Sequence, residues 1–117
     1  MACDERLVER IRAVLKGVRG AGERRMFGGV CFALNGNMTC GVVKDELIVR
    51  VGPDRHQDAL TRRHARPMDF TGRPMKGYVF VAPPGIKTAS GLRSWTRMGI
   101  EYVRTLPRKL PNRKRSG

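Results

Sequence analysis

Acidic residues are scarce in this sequence: it has 10 Asp and Glu against 24 Lys and Arg, a net charge of +14. Five of the cations stand near the end of the chain, at Arg108, Lys109, Arg113, Lys114 and Arg115. Without them the charge is still +9 (14 − 5), so the excess belongs to the folded part as well. Such a protein attracts polyanions, nucleic acid first and anionic membrane surfaces second. An arginine-rich composition that only keeps the protein soluble explains the charge equally well.

Cysteine and histidine are also few, and their spacing does not indicate a metal site. Cys3, Cys31 and Cys40 form no C-x-x-C pair and no cluster with histidine at zinc spacing. His56 and His64 are eight residues apart, do not share a ligand face, and are expected to be solvated. We therefore expect no metal and no cofactor, and an odd number of reduced thiols fits the cytoplasm.

No apolar run approaches the ~20 residues that a membrane-spanning helix needs, so the chain is not expected to span a membrane, and a membrane is not among the predicted partners. The N-terminus is charged from its start and lacks the apolar stretch of a secretory signal, which again indicates the cytoplasm. Glycine-rich phosphate-binding motifs are absent. No set of nucleophile, acid and base is apparent either, so we do not expect an enzyme.

Three short apolar runs, residues 30–34, 39–43 and 47–51, predict an antiparallel meander with turns at Asn35-Gly36 and at residues 44–46. Residues 23–26 lead into it. A type I′ turn at Asn35-Gly36 pairs Leu34 with Asn37, and continuing that register puts Cys31 opposite Cys40. In a reducing compartment we expect two free, packed thiols there rather than a disulfide.

Helical spacing of apolar residues predicts a first helix over residues 4–18 and a last helix that begins at Thr88 or Ser90 and ends at Leu106. Trp95 and Tyr102 lie on the apolar face of the last helix and are expected in the core. A short helix over residues 53–64 and strands over 68–71 and 78–82 complete the chain. The order predicts a two-layer α+β domain, residues 1–106. Its mostly antiparallel sheet has about five strands, with helices at both termini and a short helix between strands 3 and 4. Residues 107–117 form a basic tail, expected to be disordered.

Several short motifs give the chain a family resemblance. They are R-M-F-G-G (Arg25, Met26, Phe27, Gly28 and Gly29), an L-N-G turn with Gly36, and G-R-P-M (Gly72, Arg73, Pro74 and Met75). In combination they resemble the N-terminal domain of the TfoX/Sxy family, over about residues 4–106. The resemblance implies an α+β fold similar to that of type III secretion chaperones. It carries over no catalytic residues, so the motif residues are expected to be structural.

The resemblance also implies a regulatory role, because full-length TfoX proteins regulate natural competence and help the cyclic-AMP receptor protein at a subset of promoters. They carry a second, C-terminal domain, where this sequence has its short basic tail. We therefore predict a non-enzymatic regulatory protein, a co-regulator of transcription or competence with nonspecific affinity for nucleic acid. Arg62, Arg63, Arg66 and the five tail cations would contact phosphates.

The alternative is a protein-interaction module that binds an acidic protein and no nucleic acid. The expected partners are thus nucleic acid or a transcription-regulator protein, and the expected state is a monomer or homodimer.

Overall fold

A computed structural model of the chain describes residues 3–26, 28–68 and 75–107. Three α-helices, a 3₁₀ helix at Pro83–Ile86 and six strands lie within these residues. The helices are α1 (Glu5–Leu15), α2 (His56–Leu60) and α3 (Ala89–Val103). The strands are β1 (Ala21–Met26), β2 (Gly29–Leu34), β3 (Asn37–Val43), β4 (Glu46–Arg50), β5 (Ala65–Pro67) and β6 (Tyr78–Val81). The α+β fold with helices near both ends is confirmed.

The described strands form one sheet of six, rather than about five, in the order β1-β2-β3-β4-β6-β5. All neighbouring pairs are antiparallel. The first four strands are consecutive, as in the predicted meander. The chain then passes through α2 to the edge strand β5 and returns to place β6 between β4 and β5.

The sequence pattern did not reveal β1, which was predicted only as a lead into the sheet. Its polar residues Glu23 and Arg25 pair with Phe32 and Val30 of β2, so they lie on the face that α1 covers. There Arg12 of α1 donates two hydrogen bonds to the Glu23 carboxylate (2.8 and 2.7 Å), and Arg25 donates two to Glu5 (both 2.9 Å). The strand is therefore attached to the helix by ion pairs, which an apolar pattern cannot show.

Two elements in the middle of the chain differ from the prediction within the described residues. The second helix begins at His56 and ends at Leu60, so it does not start at Pro53 or reach His64. The fifth strand is Ala65–Pro67, just before the predicted span of 68–71, of which residues 69–71 lie outside the described part. Met68 is joined to Met75 by a backbone hydrogen bond of 2.7 Å, so the described chain on either side of 69–74 meets at these two residues.

The main core lies between the sheet and the two long helices. Leu7, Val8 and Ile11 of α1 are buried in the same cluster as Leu92 and Trp95 of α3. The Asp4 side chain begins α1 by accepting hydrogen bonds from two backbone N–H groups of its first turn. Trp95 is 6% exposed, as predicted. Tyr102 is partly buried and packs against the core. His56, predicted to be solvated, is in fact buried, at 7% exposed.

The cysteine register differs from the prediction. Leu34 does pair with Asn37, but a β-bulge between Phe32 and Ala33 shifts the ladder, so that Cys40 pairs with Phe32 and Cys31 with Gly41. Cys40 therefore points into the core, whereas Cys31 lies on the opposite face of the sheet. All three cysteines are free thiols, as expected. Burial raises the pKa of Cys40 to about 12 and also raises that of Cys31.

The other face of the sheet carries a smaller apolar cluster, composed of Ile48, Met68 and Phe80 and flanked by Met38, Val43 and Tyr78. Two arginines lie over its aromatic rings. The guanidinium carbon of Arg66 is 4.4 Å from the Phe80 ring centroid, and that of Arg50 is 5.6 Å from the Tyr78 centroid. These cation–π contacts cover the rings of Tyr78 and Phe80, so neither of these two described rings is a free platform on which single-stranded bases could stack.

The described residues of the R-M-F-G-G motif lie where β1 turns into β2. Arg25 forms the ion pair with Glu5, and this hydrogen bonding lowers the pKa of the Glu5 carboxyl group. A Cβ on Gly29 would collide with the carbonyl oxygen of Val42, so only glycine lets β2 and β3 approach this closely. Both contacts join elements of the fold. Phe27, Gly72, Arg73 and Pro74 lie outside the described residues.

Candidate functional site

The predicted cluster of Arg62, Arg63 and Arg66 does not form one surface. Arg66 donates two hydrogen bonds to Glu46 (2.6 and 2.9 Å) beside Phe80, on the sheet face away from α3. Arg62 lies near α3 instead. Its guanidinium carbon is 5.7 Å from the Trp95 ring centroid, and its Nη2 atom is 3.6 Å from the Asp58 carboxylate. Arg63 is exposed. The five tail cations lie outside the described residues.

A different set of arginines lies together on the outer side of α3. The helix buries Leu92 and Trp95, and this orientation turns Arg93 and Arg97, four residues apart, to solvent. Arg104, the C-cap residue directly after the helix, is also exposed. Among the described residues, none forms an ion pair or side-chain hydrogen bond with these three guanidinium groups. Three charges on one side of the domain are therefore available to a ligand.

A cleft lies on one side of the Arg93–Arg97 row, between α3 and the residues that flank α2. We call it the α2–α3 cleft; it has a volume of about 480 Å³. Arginines and serines dominate its lining: Arg55, Arg62, Arg93, Arg97, Ser90 and Ser94. Its one carboxylate, Glu101, accepts a hydrogen bond of 3.0 Å from Arg55. The cleft is thus polar and strongly positive.

A second depression, the α1–α3 groove, lies on the other side of the same row and has a volume of about 750 Å³. Its floor is apolar, formed by Val14, Val18, Leu92 and Ile100. Four arginines and Glu101 stand around this floor: Arg10, Arg93, Arg97 and Arg104. The two depressions share Arg93, Arg97 and Glu101 but differ in the chemistry of their floors.

Arg10 holds the two walls of the groove together. Its Nη2 atom donates hydrogen bonds to three consecutive carbonyl oxygens, those of Ile86 (2.8 Å), Lys87 (3.2 Å) and Thr88 (3.3 Å). Thr88 is the N-cap of α3, and its side chain accepts a hydrogen bond from the Gly91 backbone N–H. Arg10 thus fixes the start of α3 relative to α1.

The arginines of this surface are absent from the sequence-based site prediction, although a signal was present. Arg93 and Arg97 are spaced by four residues on the helix face opposite to Leu92 and Trp95, which is the spacing of a single exposed row. The contributions of Arg10 and Arg55 have no such signal. They depend on how α1 and α2 pack beside α3, and only the tertiary structure shows this.

The described residues contain no group of three or more His, Cys, Asp or Glu side chains placed to hold a metal ion. Within the same residues, no helix is long and apolar enough to cross a bilayer.

Comparison with known proteins identifies the family of the chain. Neither the curated proteins nor the solved structures include a significant match. A family model, however, matches residues 13–103, which span every described strand, the 3₁₀ helix and α2 and α3, together with the end of α1. The match covers far more than half of the 117 residues, and we conclude that the chain belongs to the TfoX N-terminal domain family.

Proposed function

We propose that this protein is a non-enzymatic regulatory domain that binds the phosphate backbone of nucleic acid in the α2–α3 cleft. The observation that carries the proposal is the convergence of Arg62, Arg93 and Arg97 with Ser90 and Ser94 on one concave surface. Membership of the TfoX N-terminal family supports a regulatory role of the competence type. A role as co-regulator of transcription or competence in the cytoplasm is the finer part of the proposal.

The chemistry of the cleft suits phosphate. Guanidinium groups form paired, charge-assisted hydrogen bonds with phosphate oxygens, and serine hydroxyls add neutral donors. Ser90 lies in the first turn of α3, where the helix dipole favours an anion, and Ser94 lies one turn further along the same side. Arg55 and Arg62 would exchange exposed partners, Glu101 and Asp58, for phosphate. Exposed ion pairs of this kind are weak, so the exchange opposes binding only slightly.

Binding of this kind is electrostatic and reads no bases. Affinity for duplex DNA should therefore be independent of sequence and should fall steeply with salt. The test is fluorescence anisotropy of a labelled duplex over a salt series, with wild type and the double variant Arg93→Gln/Arg97→Gln. Each lost phosphate contact should lower the slope of log K against log salt by about 0.9.

The matched control is Arg19→Gln/Arg24→Gln, which removes the same charge from exposed positions outside both depressions. It should lower affinity less and leave the slope near that of wild type. Equal effects of the two double variants would show that the net charge acts without a defined site.

Truncation after Pro107 is a second arm of the same experiment. It removes Arg108, Lys109, Arg113, Lys114 and Arg115 but keeps the Pro107 carbonyl, which accepts a hydrogen bond of 3.0 Å from the Asn37 side chain. We expect an unchanged melting temperature, weaker binding and a shallower salt slope. If neither the full chain nor the truncated form binds DNA at low salt, the charge serves solubility and the proposed function is wrong.

The alternative from the sequence, binding of an acidic protein, is favoured by a different observation: the apolar floor of the α1–α3 groove, which a phosphate backbone does not need.

A further inference from the structure

The floor of the α1–α3 groove is more apolar than a polyanion site requires. Leu92 and Ile100 of α3 are buried, while Val14 and Val18 are only partly buried and pack against the same core. Alanines at positions 13 and 89 line the walls and leave the groove open from above. An occupant with its own apolar face would cover Val14 and Val18 and remove apolar surface from water.

Around this floor, the charges without a partner among the described residues are all positive. Arg93, Arg97 and Arg104 lack a partner among the described residues. The only carboxylate in the lining, Glu101, is already paired with Arg55. The occupant must therefore combine an apolar stripe with negative charges beside it.

The two walls of the groove limit the backbone conformation that such an occupant can adopt. Both are α-helices, whose backbone N–H and C=O groups are already hydrogen-bonded along their length. A peptide in strand conformation would find no edge to pair with in this groove, and its own backbone groups would lose water without compensation. A helix satisfies its backbone internally and needs only side-chain contacts, which is the helix-in-groove mode of recognition.

We propose that the α1–α3 groove binds an amphipathic α-helix of a partner protein, whose apolar residues contact Val14, Val18 and Ile100 and whose flanking carboxylates pair with Arg93, Arg97 and Arg104. The α1 wall has 11 residues and the α3 wall 15, which correspond to lengths of about 16 and 22 Å. A partner helix of three to four turns fits this length. Its apolar residues would recur at i, i+3 or i+4, and i+7.

The α1–α3 groove differs from the α2–α3 cleft in its apolar floor and in the class of partner that it would bind. A phosphate backbone has no apolar face to place on Val14 and Val18, and a flat membrane surface cannot follow a concave groove between two helices. The two proposals share Arg93 and Arg97, so variants of these residues cannot separate them.

Two neighbouring positions do separate them. Ala89 lines the groove and Ser90 lines the α2–α3 cleft, and both are exposed in the first turn of α3. A glutamate at either position adds the same charge to the same helix end, where the dipole tolerates it. Ala89→Glu places a carboxylate in the path of the acidic helix, and Ser90→Glu is its matched control. Ala13→Glu, on the opposite wall, is a second groove variant.

The probe is a synthetic peptide of about 14 residues, roughly 21 Å long as a helix, with leucines on one face and glutamates beside them. Two further peptides serve as controls: one with lysine for every glutamate, and one with the acidic peptide's composition in scrambled order. Binding is followed by anisotropy of the labelled peptides and by amide chemical-shift changes. We expect the acidic helix to bind and the other two to bind at least about tenfold more weakly, because charge and apolar face must coincide.

We expect Ala89→Glu and Ala13→Glu to weaken the acidic helix at least about tenfold, and Ser90→Glu to weaken it less than about threefold, since like charges repel only where they meet. Unchanged melting temperatures would show that the variants fold. Equal binding of the scrambled peptide, equal effects of Ala89→Glu and Ser90→Glu, or no binding of the acidic helix up to about 1 mM (a binding free energy near −4 kcal/mol) would each overturn the proposal.

A parallel titration with duplex DNA distinguishes failure of the helix proposal from failure of the proposed function. Ser90→Glu should weaken DNA binding more than Ala89→Glu does. If Ala89→Glu weakens DNA just as much, the groove belongs to the polyanion surface and the helix proposal is wrong, while the proposed function stands.

Discussion

Helix α3 packs directly against the backbone of β3 where Gly99 faces Thr39. A Cβ placed on Gly99 would lie 2.8 Å from the carbonyl oxygen of Thr39 and 3.1 Å from its methyl carbon. Both residues are buried. The absence of a side chain at position 99 therefore sets the distance between the helix and the sheet, and with it the position of the arginine row on the outer side of α3.

Gly99→Ala should destabilise the protein, because the new methyl group meets backbone atoms that cannot rotate away. Overpacking of this kind costs about 1–3 kcal/mol, against a gain of at most about 1 kcal/mol from the better helix propensity of alanine. We expect a lower urea midpoint with an unchanged m-value. Gly22→Ala is the control, since its Cβ would meet nothing within 4 Å. Equal midpoints for both variants would contradict the close approach.

Trp95→Ala should cost about 3–5 kcal/mol, the usual range for truncation of a buried large aromatic side chain. Trp95 is 6% exposed in the main core. Met75→Ala is the control, because Met75 is 41% exposed and its truncation should change stability by less than about 0.5 kcal/mol. Equilibrium denaturation measures both. A Trp95→Ala midpoint equal to that of wild type would show that this side chain is not in the core.

The thiols should differ in reactivity in the native protein. Cys40 is fully buried and its pKa is raised to about 12, whereas Cys31 is half-buried on the other face of the sheet. Because the thiolate is the reactive form, alkylation of Cys31 should precede that of Cys40, and Cys31→Ser should remove the faster phase. In denaturant without reductant, all three cysteines should react. A count below three would reveal a disulfide and contradict the register of β2 and β3.

Acid should weaken the attachment of α1 to β1. Hydrogen bonds from Arg12 and from Arg25 lower the pKa values of Glu23 and Glu5, respectively, below the usual 4.5. A carboxyl group with a lowered native pKa stabilises the fold above its unfolded pKa, and this contribution is lost as the pH falls through the native value. Stability should thus decline from about pH 5 downward.

Because these ion pairs are exposed, the decline they cause should be small. The Glu23→Gln variant isolates it: the difference in melting temperature between wild type and variant should shrink between pH 6 and pH 3. A difference that stays constant over this range would show that the Arg12–Glu23 pair does not contribute to stability. The measurement is a series of thermal melts at constant ionic strength.

Local chemistry made several parts of the fold predictable from the sequence. The Asn35-Gly36 turn was predicted because both residues adopt positive φ easily, and their φ values are 52° and 84°. The amphipathic first and last helices followed from apolar spacing of three and four residues, which also placed Trp95 in the core. Each of these features depends on neighbours in the chain.

The misplaced features depend on partners far away in the sequence. Strand β1 is polar because Arg12 and Glu5 of α1 neutralise its charges, so no apolar pattern marks it. Cys31 and Cys40 do not pair as predicted, because a bulge shifts the register within β2. The turn alone fixes only the residue pairs nearest to it.

In the candidate site, too, some features depend on the sequence alone and others on contacts between distant residues. The sequence by itself determined that the protein is strongly basic, that it resembles the TfoX N-terminal domain, and that Arg93 and Arg97 share one side of a helix. Only the tertiary structure decided which arginines act together. It paired Arg66 with Glu46 on the far face of the sheet and brought Arg62 to one side of α3 and Arg10 to the other. The physical reason is that charge count belongs to composition, whereas the pairing and convergence of charges depend on how the helices pack.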